Sequence, residues 1–205
     1  PSLAVAELTI GLIIDSLRYI SIQNNKLKSG IWNKKMGSLL SGKKIGILGL
    51  GNIGKNLITL LSSFNLEFLA HDINKDKVFE KKYNFKYSTL NDLLSTADII
   101  TLHLGLSSET KGLINYNSFK IMKKFPIIIN TSRGEIIEES SLIKALDEGL
   151  ISGAALDVFC KEPYNGPLVN FDNVIVTPHI AAYAKEIRIQ MEIEATKNII
   201  KSLNV

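Results

Sequence analysis

The sequence predicts an α/β protein, a doubly wound parallel sheet with helices on both faces. Two observations carry that expectation. Six short apolar runs recur along the chain: Lys44–Leu48, Glu67–His71, Asp98–Leu102, Pro126–Asn130, Gly153–Val158 and Asn173–Thr177. Several are nearly continuous in Ile, Leu, Val and Ala, the pattern of strands covered on both faces. The segments between them, Asn52–Phe64, Lys75–Tyr83, Thr89–Ser95, Asn117–Lys123 and Ser140–Glu148, suit helices or helical turns. Alternation of the two is the signature of parallel βαβ units.

Before the first strand, Pro1 and Ser2 supply a start signal, and Val5, Leu8, Leu12 and Ile13 repeat at helical spacing, which predicts a helix over Pro1–Ile22. Apolar residues lie on several of its sides, so it is expected to pack against more than one surface. The polar stretch Gln23–Gly42, with Trp32 inside it, is expected to cross the surface as a long connection. Ser140 and Ser141 are candidate caps for the helix that Gly149 ends. At the far end, Ile187, Met191, Ala195 and Ile199 line one face of a last helix over Ala184–Leu203. The expected division is thus a helix and connection over 1–42, a sheet domain over 43–183 and a C-terminal helix over 184–205.

Bulk properties exclude several classes. A chain of 205 residues with 45% hydrophobic and 21% charged residues can bury one good core. The net charge of +4 comes from scattered lysines, and the densest group, Lys120, Lys123 and Lys124, reads as a solvated helix end. No nucleic-acid partner is expected from it. The single cysteine, Cys160, forbids an intrachain disulfide and fits a reducing, cytoplasmic setting. The apolar stretch Leu8–Ile14 is too short to span a bilayer and follows no basic leader, so no membrane partner is expected. Opening on Pro1 rather than Met suggests processing or an excised piece.

The first strand runs into Gly49-Leu50-Gly51-Asn52-Ile53-Gly54, a G-x-G-x-x-G turn between a strand and a helix. Gly49 permits the tight turn, Gly51 lets a pyrophosphate approach the backbone, and Gly54 lets helix and strand pack closely. The helix starting near Asn52 would offer free N–H groups and a positive dipole end to phosphates. Asp72 closes the next strand, at the spacing where a carboxylate reaches the adenosine ribose hydroxyls and repels a 2′-phosphate. The expectation is a Rossmann dinucleotide-binding domain that takes NAD rather than NADP. A helix-capping Asp after an ordinary glycine turn is the bland alternative, but it does not explain why all four residues fall in register. His103, at the end of Asp98–Leu102, reads on chemistry alone as a surface histidine.

Three further residues, Arg133, Glu162 and His179, each sit just past an apolar run. Hydride transfer to the ketone of a 2-oxo acid needs a cation for the carboxylate and a proton for the carbonyl oxygen. Arg133 offers a fork of donors. His179 can give the proton, and Glu162 on the other ring nitrogen would hold the imidazolium ready to donate. No metal is then required, and no convincing Cys/His ligand cluster is present. Singly, a surface ion pair, a loop carboxylate and a turn histidine explain these residues equally well. Together, and after a dinucleotide fingerprint, they do not.

With these motifs the chain resembles the cofactor domain of the D-isomer-specific 2-hydroxyacid dehydrogenase family. The likeness extends over Ala4-Val5-Ala6-Glu7, Gly49 to Gly54, His103-Leu104, Glu109 to Asn115, Asn130 to Gly134, Ala155 to Phe159, Glu162-Pro163, Asn173-Val174 and Thr177 to Ala181, in order and in spacing. The resemblance implies that Arg133 binds the oxo-acid group, His179 is the acid/base and Glu162 its partner. It implies that Asp157 faces the nicotinamide carboxamide, Asn52 and Ile53 cover the pyrophosphate and Asp72 the ribose. Thr131, Ser132, His103, Leu104, Gly105, Thr110 and Ala181 would complete the cofactor cleft. A small 2-hydroxy or 2-oxo acid is the implied substrate. A homodimer through the first helix and Trp32 is the implied assembly, with burial of Trp32 inside one subunit as the equal alternative.

Two departures stand out. Gly105 occupies a position where the family has proline, which would loosen that turn. The family's substrate domain comes mostly before the first helix, so the chain alone is expected to be weak or inactive, with its last helix returning toward that missing part. A non-catalytic NAD-binding or redox-sensing co-repressor-like module, and a formate or phosphite dehydrogenase, are the competing readings.

Overall fold

The computed structural model describes residues 1–202. Seven strands, β1 (Lys44–Leu48), β2 (Glu67–His71), β3 (Lys86–Tyr87), β4 (Ile99–Leu102), β5 (Ile127–Asn130), β6 (Gly153–Leu156) and β7 (Val174–Val176), form one sheet in the order β3-β2-β1-β4-β5-β6-β7. Every neighbouring pair is parallel. The order reverses direction between β1 and β4, which opens a crevice at the C-terminal ends of those two strands, the usual ligand position in an open α/β sheet.

Eight helices accompany the sheet among the described residues: α1 (Ser2–Arg18), α2 (Ile20–Lys28), α3 (Asn52–Leu61), α4 (Lys77–Tyr83), α5 (Leu90–Thr96), α6 (Tyr116–Lys120), α7 (Glu139–Asp147) and α8 (Lys185–Ser202). Side chains alternate along each strand and feed two separate cores. Ile47 and Ile129 pack with Ile13 of α1 and Leu57 of α3 on one face. Ile100, Leu102 and Ile128 pack with Leu93 of α5, Phe119 of α6 and Leu142 of α7 on the other. Each fully buried Ile or Leu contributes about 1.5–3 kcal/mol, which explains why the strands read as unbroken apolar runs. None of the described helices is long and apolar enough to cross a membrane.

The structure departs from the sequence expectations in five places. The helix expected over Pro1–Ile22 is two helices. Tyr19 sits in the left-handed region at φ 56° and ends α1. The Asp15 carboxylate then accepts the Ser21 N–H and hydroxyl, so it caps the start of α2 across the break. The irregular connection therefore begins only after Lys28, and Trp32 within it is 79% exposed rather than buried in this subunit. The two-residue strand β3 was not expected. Glu138, not Ser140 or Ser141, occupies the N-cap of α7, and the Ser141 hydroxyl donates to its carboxylate. The apolar face expected on the last helix buries nothing here: residues 188–200 are all exposed and Ile187 only half-buried. Position 203 lies outside the described residues. Gly149, at φ 66°, ends α7 as expected.

Candidate active site

The fingerprint glycines hold three elements in contact. Gly49, at φ +92°, has backbone so close to the end of β4 that an added Cβ would lie 2.6 Å from the His103 carbonyl oxygen. A Cβ on Gly54 would lie 2.6 Å from the Gly49 oxygen, so α3 packs directly onto the turn. Gly51 is different: a Cβ there would meet nothing within 4 Å. It is the N-cap of α3 and brings no side-chain cap, so no capping side chain covers the first-turn N–H groups of the helix. An uncapped helix start beside a bare glycine suits a phosphate group in charge and leaves it room to approach the backbone. Asp72 Oδ2 accepts the Leu50 N–H at 2.6 Å and Oδ1 the Asn74 N–H at 2.7 Å. The acid therefore ties the glycine turn to the end of β2 and keeps further lone pairs on each oxygen.

His103 is no surface histidine. The residue is half-buried, but both ring nitrogens are shut off from solvent and have no hydrogen-bond partner among the described residues. Burial pushes the imidazole from its ordinary 6.5 down to about 4. The folded state thus keeps it neutral where the unfolded chain would take up a proton. Its contribution to stability is full above pH 6.5 and is lost as pH falls through about 4. We expect a loss on the order of 3 kcal/mol across that window, largely absent in His103→Asn; thermal melts at a series of pH values for both proteins check this. After His103, Leu104 is half-buried and Gly105 exposed. The Thr110 hydroxyl donates to the Gly105 carbonyl at 2.7 Å and accepts the Ser107 N–H at 2.8 Å, so this turn is fastened without a proline.

Past β5 the chain makes a side-chain knot. Asn130 Oδ1 accepts the Ser132 N–H at 3.1 Å and its hydroxyl at 2.9 Å, and Nδ2 donates to the Arg133 carbonyl at 2.9 Å. Thr131 and Ser132 are buried, so they shape the loop, while Arg133 is exposed with Nη1 donating to the Ser132 carbonyl at 2.6 Å. Gly134 is the tightest glycine in the structure among the described residues: a Cβ would sit 2.1 Å from the Phe159 carbonyl carbon. That contact presses the Arg133 loop against the loop that carries Glu162.

The Asp157 carboxylate is fully buried and has three donors: the Thr177 hydroxyl at 2.6 Å and the Ile180 N–H at 2.9 Å on Oδ1, and the Ala181 N–H at 2.8 Å on Oδ2. Together they clamp the loop in which His179 stands, itself in the left-handed region at φ 54°. His179 Nδ1 lies 2.8 Å from Glu162 Oε2, and Glu162 Oε1 accepts the Phe159 N–H at 3.1 Å. A carboxylate partner assigns the Nδ1 proton. Nε2 then points away with no partner among the described residues, and the side chain is 51% exposed. The His179 contact, with help from the Phe159 N–H and the Arg133 charge, holds the Glu162 carboxyl below its ordinary 4.5 against the effect of partial burial. A cavity of about 560 Å³ opens beside this pair, walled by Phe159, Tyr164, Val176 and Pro178 as well as Glu162 and His179; Arg133 does not line it.

The structure thus brings Glu162 into contact with His179 and puts Arg133 within electrostatic reach of Glu162, on the same sheet edge as the Gly49–Gly54 turn. Sequence reading placed Asn130 and Gly134 in a motif but gave neither a role. An Asn two residues before a Ser is a known turn signal, whereas the contact of Gly134 lies 25 residues away and needs the fold.

Comparison with known proteins follows the same lines. The family model described as D-isomer specific 2-hydroxyacid dehydrogenase, NAD binding domain, matches residues 10–181. A glyoxylate reductase of Thermofilum pendens is 42% identical over 98% of this chain and 62% of that protein. The human D-3-phosphoglycerate dehydrogenase is 39% identical over 90% of this chain and 35% of that protein. The crystal structure of a D-lactate dehydrogenase from Aquifex aeolicus, complexed with NAD and lactic acid, superposes with a TM-score of 0.91 at 26% identity, covering 100% of this chain and 67% of that one. The chain spans about 62% of the length of the glyoxylate reductases it matches.

Proposed function

The chain belongs to the D-isomer specific 2-hydroxyacid dehydrogenase family, as its NAD binding domain, and from that premise we propose that it serves an oxidoreductase interconverting a small 2-oxo acid and its 2-hydroxy acid. The observation that carries this reading is the Glu162–His179 pair. A module that only bound NAD would have no use for a half-exposed imidazole backed by a carboxylate, with its outer nitrogen unpartnered.

In this reading the cofactor lies along the crevice between β1 and β4. Gly51, Asn52 and Ile53 hold its pyrophosphate and Asp72 its ribose, with Gly49 and Gly54 shaping the turn. His103, Leu104, Gly105, Thr110, Thr131, Ser132 and Ala181 border the remainder. When bound, NADH supplies the hydride. Arg133 grips the substrate carboxylate through two of its N–H groups and keeps the ketone in line. His179 Nε2 gives its proton to the carbonyl oxygen as the new C–H bond forms, and in the reverse direction takes the hydroxyl proton back. Glu162 accepts the Nδ1–H throughout and stabilises the charged ring. Asp157 anchors the His179 loop; its three donors favour that role over the contact with the nicotinamide carboxamide implied by the resemblance.

The reading also takes in partners. A substrate domain of the kind the longer relatives have room for would cover the cleft, and the chain alone would be weak or inactive. A homodimer is supported by Leu27, Ile31, Trp32, Met36 and Leu39, all exposed along α2 and the connection.

The test is oxidation of NADH by the full-length protein in the presence of glyoxylate, pyruvate or hydroxypyruvate. Turnover with at least one of them, and faster with NADH than NADPH, is expected. Asp72→Ala should narrow that cofactor preference by about ten-fold or more, since a carboxylate facing a 2′-phosphate is a like-charge contact worth more than 1 kcal/mol. Equal affinity of the parent for both cofactors would remove Asp72 from the account.

A further inference from the structure

The buried residues of α1 are Ala4, Val5, Ala6, Leu12, Ile13, Leu17 and one hydroxyl, Thr9, which is fully buried. For packing alone, Val would fill that position as well. Thr9 Oγ1 lies 2.8 Å from the Val5 carbonyl oxygen and donates its single proton there. Its second contact is Thr131 Oγ1, at 3.0 Å. With the Thr9 proton already committed, Thr131 is the donor and Thr9 the acceptor in that bond. Two hydroxyls buried in an apolar layer are tolerable only because each is satisfied by the other or by backbone.

Thr131 is the first residue past β5 and stands two before Arg133. The Asn130 knot fixes the loop from within, through the Ser132 N–H and the Arg133 carbonyl. The Thr131–Thr9 bond fixes it from outside, to a helix that packs against α3, β5 and β6. Nothing else in the described side-chain bonds joins α1 to this loop.

We infer that Thr9 is a positioning residue for Arg133: through Thr131 it locks the loop to α1 and so sets where the guanidinium meets the carboxylate of the 2-oxo acid. The inference rests on the proposed role of Arg133 in binding that acid. It also means that α1, which touches no reacting atom, contributes to substrate affinity through one hydrogen bond.

The experiment is steady-state kinetics of the full-length protein with NADH and whichever 2-oxo acid it turns over, for wild type, Thr9→Val, Thr9→Ser and Arg133→Gln. Loss of one buried hydrogen bond should raise KM for the oxo acid about three- to ten-fold in Thr9→Val. The dissociation constant for NADH should stay within about two-fold, and Thr9→Ser should restore KM because it keeps the hydroxyl. If Thr9→Val does not fold, Thr9→Ala, which also lacks the hydroxyl, takes its place, with rescue by Thr9→Ser as the deciding comparison. An unchanged KM in Thr9→Val, or equal losses for NADH and oxo acid that serine does not rescue, would overturn the inference while a raised KM in Arg133→Gln keeps the proposed function. An unchanged KM in Arg133→Gln would overturn both.

Discussion

Replacing His179 by Ala in the full-length protein is expected to lower kcat for reduction of a 2-oxo acid about 100- to 10,000-fold, the range supplied by a positioned general acid. The dissociation constant for NADH should change less than about two-fold. The split follows from how the loop is held. The three bonds from the Asp157 carboxylate go to the Thr177 hydroxyl and to the N–H groups of Ile180 and Ala181, none of which belongs to the imidazole. Removing the ring therefore leaves the loop clamped and takes away only the proposed proton donor. The left-handed backbone at φ 54° adds a small penalty for Ala, because His tolerates that region better than most side chains. It is too small to unfold the loop against three hydrogen bonds, all to one buried carboxylate. Glu162, 38% exposed at its side chain and still accepting the Phe159 N–H, would turn its freed oxygen to water.

Gly134→Ala is expected to cost about 1–3 kcal/mol or more, as overpacking of a closed contact does, and to weaken oxo-acid binding more than NADH binding. The added methyl would fall 2.1 Å from the Phe159 carbonyl carbon, 2.4 Å from the Cys160 nitrogen and 2.5 Å from the Phe159 Cα. All three are backbone atoms, so no side chain can rotate away. The Arg133 loop must back off from the Phe159–Glu162 segment, which pulls the guanidinium and the Glu162–His179 pair apart. Urea denaturation midpoints and KM values for the variant check both effects. Gly51→Ala is the control: its methyl meets nothing within 4 Å, so it should cost only the small loss of a glycine N-cap and leave oxo-acid binding no weaker relative to NADH binding.

The strand runs were legible because parallel strands are buried on both faces, and burial on both faces leaves no polar alternation to confuse with a helix. The break at Tyr19 was not, because it depends on the Asp15 carboxylate folding back onto Ser21, a side-chain choice that apolar periodicity does not record. β3 is two residues long and carries no period at all. α8 has a helical apolar repeat, but periodicity tells only that a face exists, not that this domain covers it. At the candidate site, the residue types and their position past strand ends were readable; their fastenings were not. Asp157 and the donors that surround it are separated by 20 to 24 residues, and Thr9 and Thr131 by 122, so those bonds exist only once β6, β7 and α1 are in place. His103 misled for a related reason: a strand-end histidine is ordinarily exposed, but here the Gly49 turn closes over its backbone and the ring nitrogens are buried.

We propose that the Glu162–His179 pair delivers a proton to a 2-oxo acid held by Arg133 beside a nicotinamide. Single-turnover mixing of full-length protein, preloaded with NADH, against whichever of glyoxylate, pyruvate and hydroxypyruvate it turns over tests this, with wild type and His179→Ala followed side by side by the loss of NADH absorbance. A fast single-exponential loss is expected in the wild type and a rate about 100-fold or more slower in the variant at equal NADH occupancy. Equal rates in the two proteins would contradict it.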